Sequence, residues 1–328
     1  MELKVVKYEE SKEEKWDSFV LSESVNGTFL QTRHFLNYHG NRFQDESIFV
    51  YKGENTIVAV IPGCKIIDDG RTIYSSHPGS TFGGILFSKQ FYNVLHVEEV
   101  MNIIERYLEK EYNEVRMKCT SRIFAKAETD LLDYFFYYKG YQSYDELSCY
   151  INLQNYKEEI ISNFSSGKRR DYKKSLKYGL KFAELISDKE IEKFYSILVE
   201  NLHKHNKKPV HTVQELLEFK NKRLTNIVEF YGVYLETELI AGTMVFNFSD
   251  IIFHTQYLAA NQSYLEMFPM NYLNTKLIEM AMERKFKYFS FGISTEEHGK
   301  VLNLSLTEFK EGFGADYCIN KTFIKQFG

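Results

Sequence analysis

Two short runs, Ser47 to Tyr51 and Thr56 to Ile61, alternate or run apolar around the turn Lys52-Gly53-Glu54-Asn55, which predicts a β-hairpin. Upstream, Leu3 to Lys7 reads as a strand. Ser11 and Glu14 then have the spacing of a capping box ahead of Trp16 and Phe19, so a helix is expected from Ser11. Downstream lies a glycine-rich loop, Ser75-Ser76-His77-Pro78-Gly79-Ser80-Thr81-Phe82-Gly83-Gly84, followed by a helix around Val97 to Lys110 and a strand at Glu114 to Cys119. This half closes near Tyr144.

The second half repeats that order. Ser187 with Glu190 caps a helix through Ile191, Phe194, Leu198 and Leu202, and Thr212 with Glu215 caps another. Strands follow at Ile227 to Tyr234 and Leu239 to Phe248, joined by Glu236-Thr237-Glu238, with a third at Ile251 to Leu258. A loop, Ala259 to Pro269, leads to a helix at Met270 to Arg284 and a strand at Tyr288 to Phe291. Meander, loop, helix and strand thus occur twice. The fold class expected is mixed α/β with mostly antiparallel hairpins, not the strict alternation of a doubly wound sheet. A chain of 328 residues also exceeds what one core usually organises, and we divide it at 1–145 and 146–328.

Composition adds exclusions. Hydrophobic residues at 44% and charged residues at 26% are globular proportions. The 27 Phe and 24 Tyr serve packing in the plainest reading, and ring-rich grooves for sugars or nucleotides in the other. No apolar run of about 18 residues occurs, and MELKVVKYEESKEEK has no apolar signal core, so the expectation is a cytoplasmic protein without a membrane partner. Cys64, Cys119, Cys149 and Cys318 are far apart and form no CxxC pair, which excludes a disulfide framework and a zinc site from the expectation. A net charge of -4 argues against a DNA-coating protein, although the charge is unevenly placed.

The densest charge run is Gly167 to Lys181, with Lys168, Arg169, Arg170, Lys173, Lys174, Lys177 and Lys181 against Asp171 alone. At helical spacing Arg169, Lys173 and Lys177 share a face, and Tyr172 and Leu176 lie on another, giving a basic helix over 168–178 that Gly179 ends. One reading is a solvated face. The other is a phosphate clamp for a nucleotide-linked or tRNA-borne substrate.

These features carry a resemblance. The second-half meander looks like the acyl-donor half of a GNAT fold, and the duplicated layout resembles the FemAB-like branch of that superfamily, the Fem-type peptidyltransferases. Phe291-Gly292, Leu302-Asn303 and then Phe309-Lys310-Glu311-Gly312-Phe313-Gly314 resemble the closing FKxxFG segment, at 309–314, of those enzymes. The basic helix and Asn26-Gly27-Thr28-Phe29, leading to Phe35-Leu36, resemble it too. The matches are short, and their order and spacing give them weight. The resemblance implies two tandem GNAT-like domains, each a mostly antiparallel mixed sheet flanked by helices. It also implies transfer of an activated acyl or aminoacyl group to an amine of an amino sugar, an amino acid or a nucleotide-linked envelope or polysaccharide precursor. A non-catalytic module binding a nucleotide-sugar or RNA is the alternative.

One departure bears on the donor. The Q/R-x-x-G-x-G/A run with which acetyl-CoA enzymes cradle pyrophosphate is replaced by Asn261-Gln262-Ser263-Tyr264-Leu265-Glu266-Met267-Phe268-Pro269-Met270, which has no glycine. No bound cofactor is expected. The donor is a co-substrate, with aminoacyl-tRNA, an acyl carrier and acyl-CoA all open.

In such a reaction an attacking amine must lose a proton, and the carbonyl becomes an oxyanion that a placed cation stabilises. The resemblance puts Lys310 beside the acyl carbonyl. The alternative is a surface lysine on a short helix capped by Ser305 and Glu308. His77 is a candidate proton acceptor, or a brace for the turn at Pro78. His205 and His211 are candidates to border an acceptor groove, and Asn303 is carried over with the closing segment. His203 and His205 lack metal-ligand spacing, so no metal is assigned. On the strand Ile251 to Leu258, alternate side chains face one side, and His254 with Gln256 is one of the two sets; packing is the alternative for both.

Overall fold

The computed structural model describes residues 2–204 and 206–327. By its contacts the chain forms two units. One comprises Met1–Leu147, Glu297–Lys300 and Cys318–Gly328, and the other Ser148–Glu296 and Val301–Tyr317.

In chain order the first unit contains β1 (Leu3–Lys7), α1 (Glu13–Ser18), α2 (Arg33–Leu36), β2 (Gln44–Asp45), β3 (Ile48–Lys52), β4 (Thr56–Ile61), β5 (Cys64–Asp68) and β6 (Arg71–Ser75). It continues with β7 (Leu86–Phe87), α3 (Val94–Leu108), β8 (Glu114–Lys118) and α4 (Asp130–Tyr138), and β9 (Gln142–Asn152) leads out of it. The second unit contains α5 (Ser166–Ser175), β10 (Lys181–Glu184), α6 (Asp188–His203), α7 (Val213–Glu218), β11 (Val228–Leu235), β12 (Glu238–Phe248) and β13 (Ile252–Ala260). After these come α8 (Pro269–Glu283), β14 (Tyr288–Ile293), β15 (Thr295–Glu296), β16 (Val301–Leu302) and α9 (Leu304–Glu311), and β17 (Asp316–Gln326) closes the chain.

In the first unit β1, β3, β4 and β7 form an antiparallel sheet in that order. A second set runs β17, β8, β6, β5, β2, with β17 antiparallel and β6 parallel to β8. Val97, Val100, Met101, Ile104 and Leu108 repeat at helical spacing and put one face of α3 into the core with Ile48, Val50 and Val115. Ser11 does not cap α1. It lies in a 3₁₀ turn, Glu10–Lys12, and the cap position falls to Lys12, which makes no side-chain cap bond.

In the second unit the strands run β10, β11, β12, β13, β14, β9, all antiparallel except for the parallel pair β13 and β14. Apart from Glu238, every residue of β12 is buried, which its apolar run requires of a central strand. Ser187 with Glu190 and Thr212 with Glu215 form complete capping boxes on α6 and α7. On one face of this sheet Phe253, Phe289 and Phe291 pack with Leu273, Leu277 and Ile278 of α8. The cap of α9 is Asn303 and not Ser305: Asn303 Oδ1 accepts from the Leu306 N–H at 3.1 Å, while the Ser305 hydroxyl donates to the same oxygen.

The architecture is mixed α/β, built from antiparallel and mixed sheets flanked by helices. All four cysteines are thiols, with Cys64, Cys149 and Cys318 buried. Among the described residues no helix is long and apolar enough to cross a membrane, and no group of three or more His, Cys, Asp or Glu could hold a metal.

Candidate active site

Two strands of the second unit part company. β13 and β14 pair only through Ile252 with Tyr288, Phe253 with Phe289 and His254 with Ser290; beyond that point β13 keeps β12 and β14 keeps β9. Each strand is irregular where they separate. Met244 pairs with Tyr257 and Val245 with Thr255, so Gln256 is an extra residue on β13, a bulge that bends the strand. On β14 the register shifts between Ser290 and Gly292, and Gly292 takes φ +72°, a left-handed conformation that costs glycine little.

Lys310 reaches this opening from α9. It is only 3% exposed and no surface lysine. Its Nζ donates to Gly292 O at 2.9 Å, Ile293 O at 2.6 Å and Ser294 Oγ at 2.8 Å, so three acceptors from the end of β14 match the three protons of an ammonium. Burial pulls its pKa down to about 8. Cys149 Sγ lies 3.4 Å from the same Ser294 hydroxyl.

His254 is buried on the sheet face opposite α8, with Nδ1 3.0 Å from Ser290 Oγ and its ring against Phe248. Burial lowers its pKa to about 4, with Gln256 hydrogen-bonded to it and Lys310 repelling the charged form, so the ring is neutral near pH 7. His211 is buried as well. Its Nδ1 is 2.7 Å from Tyr257 Oη, and its carbonyl accepts from Tyr195 at 3.2 Å, which ties the segment before α7 to β13 and α6. His205 lies outside the described residues. Asn303, besides capping α9, donates to Glu296 Oε1 at 3.2 Å.

The basic helix is α5, extended by a 3₁₀ turn at Leu176–Tyr178. Arg169, Arg170, Lys173, Lys174 and Lys177 line a surface groove of 470 Å³ with Ser166. Lys168 behaves differently from these neighbours. Its Nζ sits 3.6 Å from the centroid of the Phe309 ring and 5.0 Å from that of Phe313, and it donates to Asn271 Oδ1 of α8 at 3.3 Å. Its stem passes over Gly312, where a β-carbon would stand 2.5 Å from Lys168 Cγ. The Ser165 N–H also donates to Gly312 O at 2.9 Å. Four residues of the 309–314 segment therefore have separate tasks here. Phe309 and Phe313 cage Lys168, Gly312 gives its stem room, and Lys310 holds the end of β14.

The stretch 261–270 forms a 3₁₀ turn, Gln262–Met267, and enters α8 through Phe268 at φ +57°. Lys174 stands 5.3 Å over the Phe268 ring. The side chain of Phe268 thus occupies the entry to α8, where a glycine loop would leave open space.

His77 belongs to the first unit. It adopts φ +59° and packs 4.7 Å from the His39 ring and 5.4 Å from Phe43. Burial drives its pKa to about 3, helped by His39 and Arg33, and its Nδ1 has no hydrogen-bond partner among the described residues. His39, which sequence reasoning passed over, sets one ring nitrogen 2.8 Å from Leu36 O and the other 3.1 Å from Gly79 O. Only the Pro78-Gly79 turn two residues from His77 signals this contact in the sequence.

The sequence of residues 164–300 matches the acetyltransferase (GNAT) domain family. No curated protein matches the chain. Among solved structures it is similar to FemX, with 11% identity, TM-score 0.68, and 98% of this chain and 97% of that one covered. L-PGS from Bacillus licheniformis gives 15% identity and TM-score 0.58 over 94% and 90% of the two chains. A tandem GNAT protein from the clavulanic acid biosynthesis pathway gives 9% identity and TM-score 0.58 over 100% and 99%. The FemAB-like, tandem-domain layout is thus the one that these matches support: residues 164–300 match the GNAT acetyltransferase domain family, and the chain as a whole shares the fold of FemX and of the tandem GNAT protein.

Proposed function

We propose that this protein transfers an activated acyl or aminoacyl group to the amine of an amino sugar, an amino acid or a nucleotide-linked cell-envelope or polysaccharide precursor. The observation that carries the reading is the parting of β13 from β14, with neutral polar groups on β13 and the Lys310 ammonium held at the end of β14. A carbonyl seated between the strands would meet the unpaired backbone edge of β13 beyond His254, and its developing negative charge would lie in the field of Lys310. The three protons of Lys310 are directed to protein acceptors, so its contribution to the transition state is charge more than a hydrogen bond.

For the donor, Phe268 and the absence of glycine at 261–270 disfavour a pyrophosphate cradle of the acetyl-CoA type. The cationic groove along α5 suits a polyanion, and aminoacyl-tRNA is the donor we favour. The general similarity to FemX and L-PGS supports the same class.

The test pairs binding with turnover. Alanyl-tRNA, acetyl-CoA and a UDP-linked amino sugar are each tested for thermal stabilisation, where a ligand at 100 times its Kd adds about 2.7 kcal/mol. Acylation of the amino sugar is then followed by mass. Transfer from alanyl-tRNA, lowered in Lys310→Met more than in Lys310→Arg, is the expected result. Stabilisation without transfer under any donor favours the second reading, a non-catalytic module, which the full hydrogen-bonding of Lys310 by protein acceptors would suit.

A further inference from the structure

In the first unit, β8 and β17 present a polar face as well as an apolar one. Val115 and Met117 of β8 and Phe323 of β17 point into the core with α3 and α4, so Lys118, Asn320 and Thr322 lie on the other side. Lys118 and Thr322 are directly opposite in the register, with their β-carbons about 5 Å apart, and Asn320 is the next residue along β17 on the same face. Farther along that face the polar groups pair off, since Glu114 holds both Arg116 and the Gln326 amide. Around Lys118 they do not. Thr322 Oγ1 and Asn320 Oδ1 have no hydrogen-bond partner among the described residues, although these two residues are only 3% and 5% exposed.

Lys118 itself is held firmly by its backbone and left open at its tip. Its N–H donates to Ser76 Oγ at 2.8 Å and its carbonyl accepts from the Gly83 N–H at 2.7 Å, so the glycine-rich loop is folded onto the end of β8. Gly83 permits this approach, because a β-carbon there would stand 1.9 Å from Ser76 O. The side chain is half-buried, and its ammonium has no hydrogen-bond or ion-pair partner among the described residues. Buried polar atoms are nearly always hydrogen-bonded, so three unmet side chains together on one rigid sheet point to a group that the chain does not supply. A recessed ammonium calls for an anion. The chemistry narrows which one. Arg116 is engaged by Glu114, so a single cation is on offer, which matches the one charge of a carboxylate and would leave a phosphate dianion half neutralised. The Thr322 hydroxyl and the Asn320 amide are neutral donors suited to the carboxylate oxygens.

We propose that Lys118, Asn320 and Thr322 form a binding site for the carboxylate of a small molecule, with Lys118 as its counter-ion and the two neutral side chains as hydrogen-bond donors to its oxygens. The site lies outside residues 164–300, which match the acetyltransferase family, and it stands independently of the acyl-transfer reading.

Binding and stability test it without turnover. Full-length protein labelled with ε-¹³C-lysine is titrated with acetate, acetamide and inorganic phosphate at constant ionic strength, the Lys118 signal being assigned by its loss in Lys118→Met. Acetate should move that signal along a saturating curve, acetamide should leave it in place, and phosphate should bind more weakly than acetate. Thr322→Val should weaken acetate binding about fivefold, the scale of one lost hydrogen bond. Lys118→Met should raise the urea midpoint of the free protein, because it removes a recessed ammonium that the fold leaves unpaired. A Lys118 signal unmoved by acetate, an equal response to acetamide, tighter binding of phosphate, or unchanged acetate affinity in Thr322→Val overturns the proposal. So does a lower urea midpoint or failed folding in Lys118→Met, which would mean that the ammonium is already satisfied within the chain.

Discussion

Lys310 combines burial with three hydrogen-bond acceptors, and the two pull its titration in opposite directions. Its pKa falls to about 8 in the folded protein, against 10.5 for an ordinary lysine. Between those values the unfolded chain binds more protons, so the contribution of Lys310 to stability rises with pH through that window and its cost is full below pH 8. Lys310→Met removes this titration and leaves Gly292 O, Ile293 O and the Ser294 hydroxyl without their donor, a loss of about 2 kcal/mol or more at pH 7. Urea unfolding at pH 7 to 10 should show the gap between wild type and variant widening above pH 8; taking the difference cancels Lys126 and Lys168, which are also lowered to about 8. A constant gap would mean that the ammonium is not buried as described. At this scale the sequence is partly legible. The FKxxFG resemblance singles out Lys310, but nothing local reveals that Nζ is claimed by the bend at residues 292–294, because that contact depends on the conformation of Gly292. His39 escaped notice for a related reason: its two carbonyl partners, Leu36 and Gly79, meet only once the 75–84 loop is folded.

Helices α5 and α9 are joined by one lysine stem lying over one glycine. Gly312 has φ -59°, so alanine suits its backbone, and the conflict is with Lys168 alone. Gly312→Ala should push Lys168 out from between Phe309 and Phe313 and cost about 1 to 2 kcal/mol, the scale of a desolvated cation–π contact. In a Lys168→Ala background the same substitution should cost almost nothing, and equal losses in both backgrounds would show that the stem is not what Gly312 accommodates. Several elements with clear periodicity and caps are legible in the sequence, including β3 with β4 and the boxed helices α6 and α7, whereas the box expected at Ser11 and Glu14 does not form. Two of those that were missed have misleading composition. Helix α4 spells Asp-Leu-Leu-Asp-Tyr-Phe-Phe-Tyr-Tyr, an aromatic run that favours a strand by propensity. Strand β17 buries Cys318, Asn320 and Thr322 and exposes Ile319, which inverts the usual alternation of apolar and polar faces. The hairpin of β5 and β6 carried a turn signal, Asp69-Gly70, that should have revealed it.

Taken whole, the molecule is mildly acidic, with a net charge of -4, and α5 holds a local excess of cations against that background. Changing Arg169 and Lys173 together to glutamine should weaken alanyl-tRNA binding and reduce the slope of log K against log salt by about 1 to 2, as two lost phosphate contacts require. Titrations between low and physiological salt would read this directly, and an unaltered slope would make the groove an ordinary solvated face. By contacts the chain divides into two units that are not contiguous halves, and the destination of the final strand was not legible in the sequence. Cys318–Gly328 belongs with the first unit, where β17 lies antiparallel to β8. A nascent polypeptide that has released residue 147 from the ribosome therefore still leaves one side of β8 without its partner, and it waits roughly ten seconds or more, at ordinary elongation rates, for the missing piece to be synthesised. Neither half can be excised by a single cut, and any truncation that removes the last dozen residues strikes the portion of the fold made first.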